Sequence, residues 1–383
     1  MLHRFSKFLV ACTVLLILAG SLVTSHDAGL SVPDWPTSYG WNMFTFPPSM
    51  WVANILYEHG HRLIASTVGF LTIIMAVWLW MAEPRRWLRW FGVATLGSVV
   101  AQGLLGGLTV LYFLPAAIST AHAGLAEIFF CMTVAIATFT SPGWIAGYGA
   151  GADTGVPPSQ GSGEARQSAK RDGGGPGRPL VSRAPLGDAE DVGPPLRRLA
   201  TTATIVIFAQ IIVGATMRHT GAGLAIPDFP LMFGHVIPDH WSRAIAIHFT
   251  HRVGALLVTL TVLTLFAHVS SRYRDRRELL RPAALIVALV AVQVTLGAFT
   301  VLSRRDPWIN SVHVVCGAMV LATALVLTLR AWRGSIADCG LRIADSIADS
   351  IADSRRASAA HPRRLPRSTE CGPASSRSSR RRC

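Results

Sequence analysis

An all-α membrane protein of eight transmembrane helices, arranged as two four-helix bundles that repeat each other in parallel, is the fold class that three observations predict. The 383 residues are 51% hydrophobic and only 15% charged, a balance outside that of ordinary soluble domains. Eight apolar runs are each long enough to cross a hydrocarbon core roughly 30 Å thick. Four stretches of the first half recur in the second at a nearly constant offset, the mark of an internally duplicated chain.

The first run, about 6–25, is longer than a signal-peptide core, and no small-x-small cleavage site follows it at "LVTSHDAG". Its repeat counterpart lies mid-chain, so it reads as a membrane helix. The second run, 55–82, opens on "LYEHGHRLIAS"; the third, 90–112, follows "EPRRWLR"; the fourth, 118–141, follows a short turn at 113–117. These four make an N-terminal bundle over 1–141. Residues 142–198, rich in Gly, Pro, Ser and Arg, hold too little apolar surface to fold and are expected to be a disordered cytoplasmic linker. Runs at 199–217, 244–269, 282–302 and 309–331 make a C-terminal bundle over 199–332. The tail, 333–383, with its "RIADSIADSIADS" run and Arg clusters, is expected to be disordered and basic.

Basic residues in the connections fix the expected orientation, because Lys and Arg near helix ends stay cytoplasmic. Arg4, Lys7, residues 83–89, the linker, residues 271–281 and the tail fall on one face, whereas 26–53 on the other holds no Lys or Arg. Both termini are therefore expected in the cytoplasm. The net charge of +14 is then topology signal, with membrane lipid as its partner and no nucleic acid required. The six cysteines, at 12, 131, 316, 339, 371 and 383, fall in the membrane or on the cytoplasmic side, so no disulfide is expected.

The duplication is clearest in "GLSVPDWPTSYG" (29–40) against "GLAIPDFPLMFG" (223–234), identical at six of twelve positions. "EHGHR" (58–62) pairs with "HFTHR" (248–252), "AQGLLGGLTVL" (101–111) with "VQVTLGAFTVL" (292–302), and His122 with His313. The offsets are 194, 190, 191 and 191 residues. Four spans per half is an even number, so both halves insert with the same orientation. This predicts parallel repeats about an axis along the membrane normal, each bundle holding a site among its inward-facing side chains.

The chemistry-bearing residues follow the same symmetry. His61 and His122 in the first half, and His251 and His313 in the second, fall near the outer ends of their helices, each pair at one depth. A polar side chain there costs several kcal/mol unless satisfied, so each pair calls for a shared partner. Zinc or copper would recruit three or four ligands. Two facing imidazoles beside small residues such as Gly103, Gly106, Gly107, Gly124, Gly297 and Gly317 suit bis-histidine haem better. Histidines serving packing alone stay open as an alternative. Glu58 shares a helix face with His61, and Arg62 borders it; the second half offers His248, His251 and Arg252. Arg62 and Arg252 suit haem propionates, with snorkelling to the interface as the alternative. Because Glu58 is replaced by His248, only the first site has an acid able to relay protons; an ion pair with Arg62 is its alternative use. His59, His26 and His219 are secondary, and the turns at Asp34 and Asp228 between prolines are expected to fold the outer loops over each bundle.

Over about residues 1–335, outside the linker, the chain resembles the haem A synthase family, integral-membrane enzymes of terminal-oxidase assembly. "ExxHR" at 58–62, "HxxHR" at 248–252, His122, His313 and the duplicated plan carry the likeness. The resemblance implies a haem b cofactor ligated at His251 and His313, and a haem O substrate near His61 and His122 with Glu58 essential. It implies oxidation of a ring methyl to formyl by successive hydroxylations, with water as the oxygen source. Haem O synthase, an electron-transfer partner and homo-oligomerisation are expectations of the same kind. Many relatives carry a cysteine pair in the first outer loop; residues 26–53 here have none. Two rival readings remain: a di-haem b-type electron-transfer cytochrome, and a parallel-repeat transporter whose histidines form a proton path.

Overall fold

The computed structural model describes residues 1–149 and 192–333. All the regular structure there is helical: α1 (Leu2–Ser25), α2 (Asn54–Ala82), α3 (Arg86–Leu111), α4 (Ala116–Phe139), the short α5 (Pro142–Gly149), α6 (Pro194–His219), α7 (Arg243–Arg272), α8 (Arg277–Leu302) and α9 (Pro307–Ala331). Two short 3-10 turns, Pro48–Met50 and Ala222–Leu224, lie in the long loops. All but α5 are apolar and long enough to span a membrane, with 24 to 30 residues each, or ~36–45 Å at 1.5 Å per residue. The chain is a multi-pass membrane protein.

Helix starts are set by local chemistry. Asp306 accepts from the N–H groups of Trp308 and Ile309, and Pro307 occupies the first helical position of α9, where a missing N–H costs nothing. The Ser242 hydroxyl accepts from Ile245 N–H at the start of α7, and prolines open α6. Several helices begin earlier than the apolar runs: α3 at Arg86, α6 at Pro194 and α8 at Arg277. Arginines in a first turn suit such a start, since their head groups can reach the interface while their stems lie along the helix. Residues 142–149 and 194–198 of the expected linker are therefore helical. Val192 and Gly193 lead into α6, while residues 150–191 and the expected tail beyond residue 333 lie outside the described residues.

In the first half α1 packs on α2, α2 on α3, α3 on α4 and α4 back on α1; in the second, α6, α7, α8 and α9 close a matching ring. The rings meet where α1 packs on α9 and α4 packs on both α6 and α9. Phe130, Val134, Ala318 and Ala322 are buried at this seam, flanked by Val10, Val14 and Ile17. A second apolar core fills the half built from α6–α9, around Leu196, Ile207, Leu265, Ile286 and Leu327.

The two long loops, 26–53 and 220–242, cover the same end of the helices and reuse one device. The Asp34 carboxylate accepts from Tyr39 N–H, Gly40 N–H and the Thr37 hydroxyl; Asp228 accepts from Phe233 N–H and Gly234 N–H. Gly40 and Gly234 sit at φ +77° and +80°, a region glycine enters without steric cost. One-residue bridges, Ser38 with Trp41 and Met232 with His235, close the turns. These are the rigid turns expected at "PDWP" and "PDFP".

Candidate functional site

Each of the four repeated histidines rests in a glycine notch on a neighbouring helix. A Cβ added at Gly20 of α1 would lie 2.9 Å from Cε1 of His61 on α2, and one at Gly106 of α3 would lie 3.0 Å from Cε1 of His122 on α4. In the second half the same contacts join Gly214 of α6 to His251 on α7 at 2.9 Å, and Gly297 of α8 to His313 on α9 at 3.2 Å. At Gly20 and Gly214 the imidazole comes closer than a Cβ would tolerate, and at Gly106 and Gly297 a Cβ would force it to give by a few tenths of an ångström. α2 and α4 stand diagonally across one ring, α7 and α9 across the other. His61 lies within electrostatic range of His122, and His251 of His313.

Glutamines orient three of the rings. Gln102 Nε2 donates to the His122 carbonyl at 2.9 Å and lies 3.4 Å from Nε2 of its ring. Gln293 Nε2 stands 3.4 Å from His313 Nε2. Gln210 Nε2 donates to the His251 carbonyl at 2.7 Å and lies 3.0 Å from its Nδ1. His61 has no such glutamine, since Leu16 occupies the repeat position of Gln210. The Nδ1 atoms of His61, His122 and His313 are buried without a hydrogen-bond partner. Orphaned buried nitrogens are costly, and an added group that binds imidazole would satisfy them. Among the described residues no three His, Cys, Asp or Glu side chains converge as a metal site. Paired imidazoles of this kind fit haem, whose porphyrin supplies the other iron ligands, better than zinc.

Beside His61, Glu58 is 4% exposed and fully bonded. Its Oε1 accepts from Arg62 Nη2 at 2.7 Å, and its Oε2 from Val32 N–H at 2.7 Å. Arg62 also donates to the carbonyls of Asp34, Thr37 and Val32. The pair thus staples the first loop onto α2. In the second half Arg252 donates to the carbonyls of Leu231, Ile226 and Asp228. His248, 2% exposed, stands where Glu58 would, with Ile226 N 3.3 Å from its Nδ1 and Arg252 Nε 3.2 Å from its Nε2. A neutral imidazole accepts at one nitrogen only, so His248 can take one of these bonds where the carboxylate takes both. Through these bonds both guanidinia hold loops at the end of the helices where the histidine pairs lie.

His59 is fully buried, its Nδ1 3.1 Å from Ser38 Oγ and its ring against Phe46 and Trp51. Phe249 fills the corresponding place against Trp241, which identifies His59 as loop packing. Trp35 of "PDWP" lies against Gly107: a Cβ there would come within 2.5 Å of its ring. The second half has Ala298 in that place, so only the first loop seats an indole beside α3.

Several polar residues at the centre were not singled out from the sequence. Glutamines 102 and 293 were visible inside the repeated "AQGLLGG" and "VQVTLGA" stretches. Gly20 and Gly214 stand at the 194-residue offset but in apolar surroundings that read as packing. Glu127 of α4, 5% exposed and with Oε2 unpartnered, has Ala318 as its repeat counterpart. Arg218, near the end of α6, crosses to α1.

Comparison with known proteins agrees with this architecture. The family model for cytochrome oxidase assembly proteins, COX15-CtaA, matches residues 3–143 and 181–325. A heme A synthase of Symbiobacterium thermophilum is 30% identical over 85% of this chain and 95% of its own length. One from Shouchella clausii is 28% identical over 76% and 83%, and one from Halalkalibacterium halodurans 25% over 86% and 97%. Both matched segments of the family model carry one notched histidine pair, so the chain belongs to the COX15-CtaA family of cytochrome oxidase assembly proteins.

Proposed function

We propose that the protein is a haem A synthase, oxidising a ring methyl of haem O to a formyl group. The observation that carries this reading is the pair of notched imidazole sites, of which only the first has an acid beside it: Glu58, replaced by His248 in the second. The reaction is R–CH3 + H2O → R–CHO with release of four protons and four electrons. It needs a porphyrin held in fixed orientation, a group to handle protons, and an exit for electrons. His61 and His122 hold the haem O substrate; His251 and His313 hold a resident haem b. When bound, haem b supplies one-electron redox chemistry. Glu58, one helical turn before His61, handles protons released at the substrate, and Arg62 fixes the orientation of its carboxylate.

The two helix rings are read as parallel four-helix repeats, the long loops on the outer side and both termini in the cytoplasm, in keeping with the basic connections. Haem O synthase would supply the substrate, an electron-transfer partner would remove the electrons, and self-association is a further expectation.

The test is co-expression with a haem O source, followed by extraction and chromatography of the bound haems from wild type and Glu58→Gln. Wild type should yield haem A. The variant should keep haem b and lose roughly 10²–10⁴-fold in haem A formation, the range of general acid–base catalysis. A melting curve of each guards against loss of the loop staple. Full haem A yield from Glu58→Gln would remove Glu58 from the chemistry; haem without any haem A from wild type would favour the electron-transfer cytochrome.

A further inference from the structure

At the loop end of the seam between the two rings, one half-buried cation has no anion. Arg218 of α6 sends Nη2 across to α1, donating to the Ser21 carbonyl at 2.6 Å and to Ser25 Oγ at 2.7 Å. Asn310 and Ser311 of α9 complete this polar knot through Ser25. Arg218 Nε is buried with no partner, and among the described residues the guanidinium forms no ion pair. Asp27, the carboxylate whose field reaches it, is exposed and beyond ion-pair distance, while Arg305 adds a second positive field. An unpaired guanidinium inside a membrane protein is costly, and such residues mark ligand or ion sites.

The location says which ligand. Arg218 lies one helical turn beyond Gly214, the notch that receives His251, and through Ser25 it is tied to Ser311, two residues before His313, so the cation stands at the loop end of the second histidine pair. Its repeat counterpart is Thr24, so the seam holds one such arginine and not two. Arg62 and Arg252 each donate to three loop carbonyls, so a further cation at the seam adds to what they can offer the carboxylates of a bound porphyrin. Resting on the haem reading above, we infer that Arg218, backed by Arg305, is the binding site for a propionate carboxylate of the haem held by His251 and His313. A guanidinium with a free Nε can add a charge-assisted bond to a carboxylate at that edge. Because Arg218 is also tied to α1, it links occupancy of the second-half site to the first half.

The experiment is a double cycle on the full chain in detergent micelles, freed of haem and titrated with haemin or with haemin dimethyl ester, read by Soret absorbance. Wild type should bind the diester at least tenfold more weakly than haemin. Arg218→Gln should lose about as much for haemin and discriminate between the two far less; Arg218→Lys should recover part of the difference. Haem reconstituted into Arg218→Gln should have a lower midpoint potential, since the lost cation had disfavoured the oxidised, more positive form. Equal discrimination by wild type and Arg218→Gln, with unchanged potential, overturns the inference while leaving the haem reading intact. Wild type that binds neither porphyrin overturns both. Should Arg218→Gln fail to fold, wild type alone decides: equal affinity for haemin and its dimethyl ester counts against the site.

Discussion

The glycine notches permit a graded prediction about ligation. In Gly214→Ala the new methyl would lie 2.9 Å from Cε1 of His251, whereas carbon atoms in contact prefer about 3.5–4.0 Å. The ring must therefore retreat by about 0.6–1.1 Å. It is not free to do so, because Gln210 holds its backbone carbonyl and stands 3.0 Å from Nδ1. Overpacking of this kind costs about 1–3 kcal/mol, and at about 1.4 kcal/mol per tenfold haem retention at that site should weaken roughly fivefold to 150-fold. Gly297→Ala, with 3.2 Å to His313, should cost less. Gly103→Ala is the control: a Cβ there meets nothing within 4 Å, so the change should stabilise α3 by up to about 1 kcal/mol. Haem content per chain by the pyridine haemochrome method, with the Soret spectrum and a melting curve, measures all three. Wild-type haem content and spectrum in Gly214→Ala, or equal loss in Gly103→Ala, would refute the notch as a ligand-positioning device.

Burial pushes the Asp34 carboxyl up, but bonds from Gly40 N–H, the Thr37 hydroxyl and Tyr39 N–H outweigh it and hold the group below the usual carboxylate range. A lowered folded value means that its contribution to loop stability is fully present above the unfolded value of ~3.9 and is lost as pH falls through the folded value. Pepsin should therefore cut within 26–53 faster at about pH 2.5 than at about pH 4.5, and Asp34→Asn should blunt that difference; a wild-type loop equally resistant at both would contradict the assignment. Glu127→Leu should raise thermal stability in detergent by about 1–3 kcal/mol, because an unsatisfied buried polar atom is removed; a lower melting temperature would mean that the carboxylate is satisfied by a bound group.

Much of this was legible in the sequence because membrane constraints are blunt. A span needs about twenty apolar residues, and an imidazole in such a span stands out; four at two repeated spacings stand out more. Legibility failed where the signal was steric or long-range. Gly20 and Gly214 differ from packing glycines only by what lies opposite, 41 and 37 residues further along the chain. Arg218, just past the apolar run at 199–217, reads as an interfacial cation, and only the crossing to Ser21 and Ser25 reveals that it lies in a seam. Arg62 and Arg252 stand out in the sequence, but the carbonyls they bind belong to loops whose path no local pattern specifies.

Duplicated chains allow one half to serve as a control for the other, since shared features report what both sites need and differences report what only one does. Shared here are the four notches, the Asp-centred turns and the arginine staples, all of which hold an imidazole pair under a closed loop. The differences cluster around those pairs: Glu58 against His248, Trp35 on Gly107 against Ala298, Leu16 against Gln210, and Thr24 against Arg218. The first half gains an acid and an indole beside its histidines and lacks the glutamine that would fix His61. The second half gains that glutamine, which fixes His251, and a cation at its edge. A site that must admit and release a substrate favours a ligand less firmly held, whereas a resident cofactor favours one locked from the second shell. The proposed division of labour between substrate haem and cofactor haem is in keeping with the side chains by which the repeats diverge, and exchanging Leu16 and Gln210 between the halves should shift haem retention from the second site toward the first.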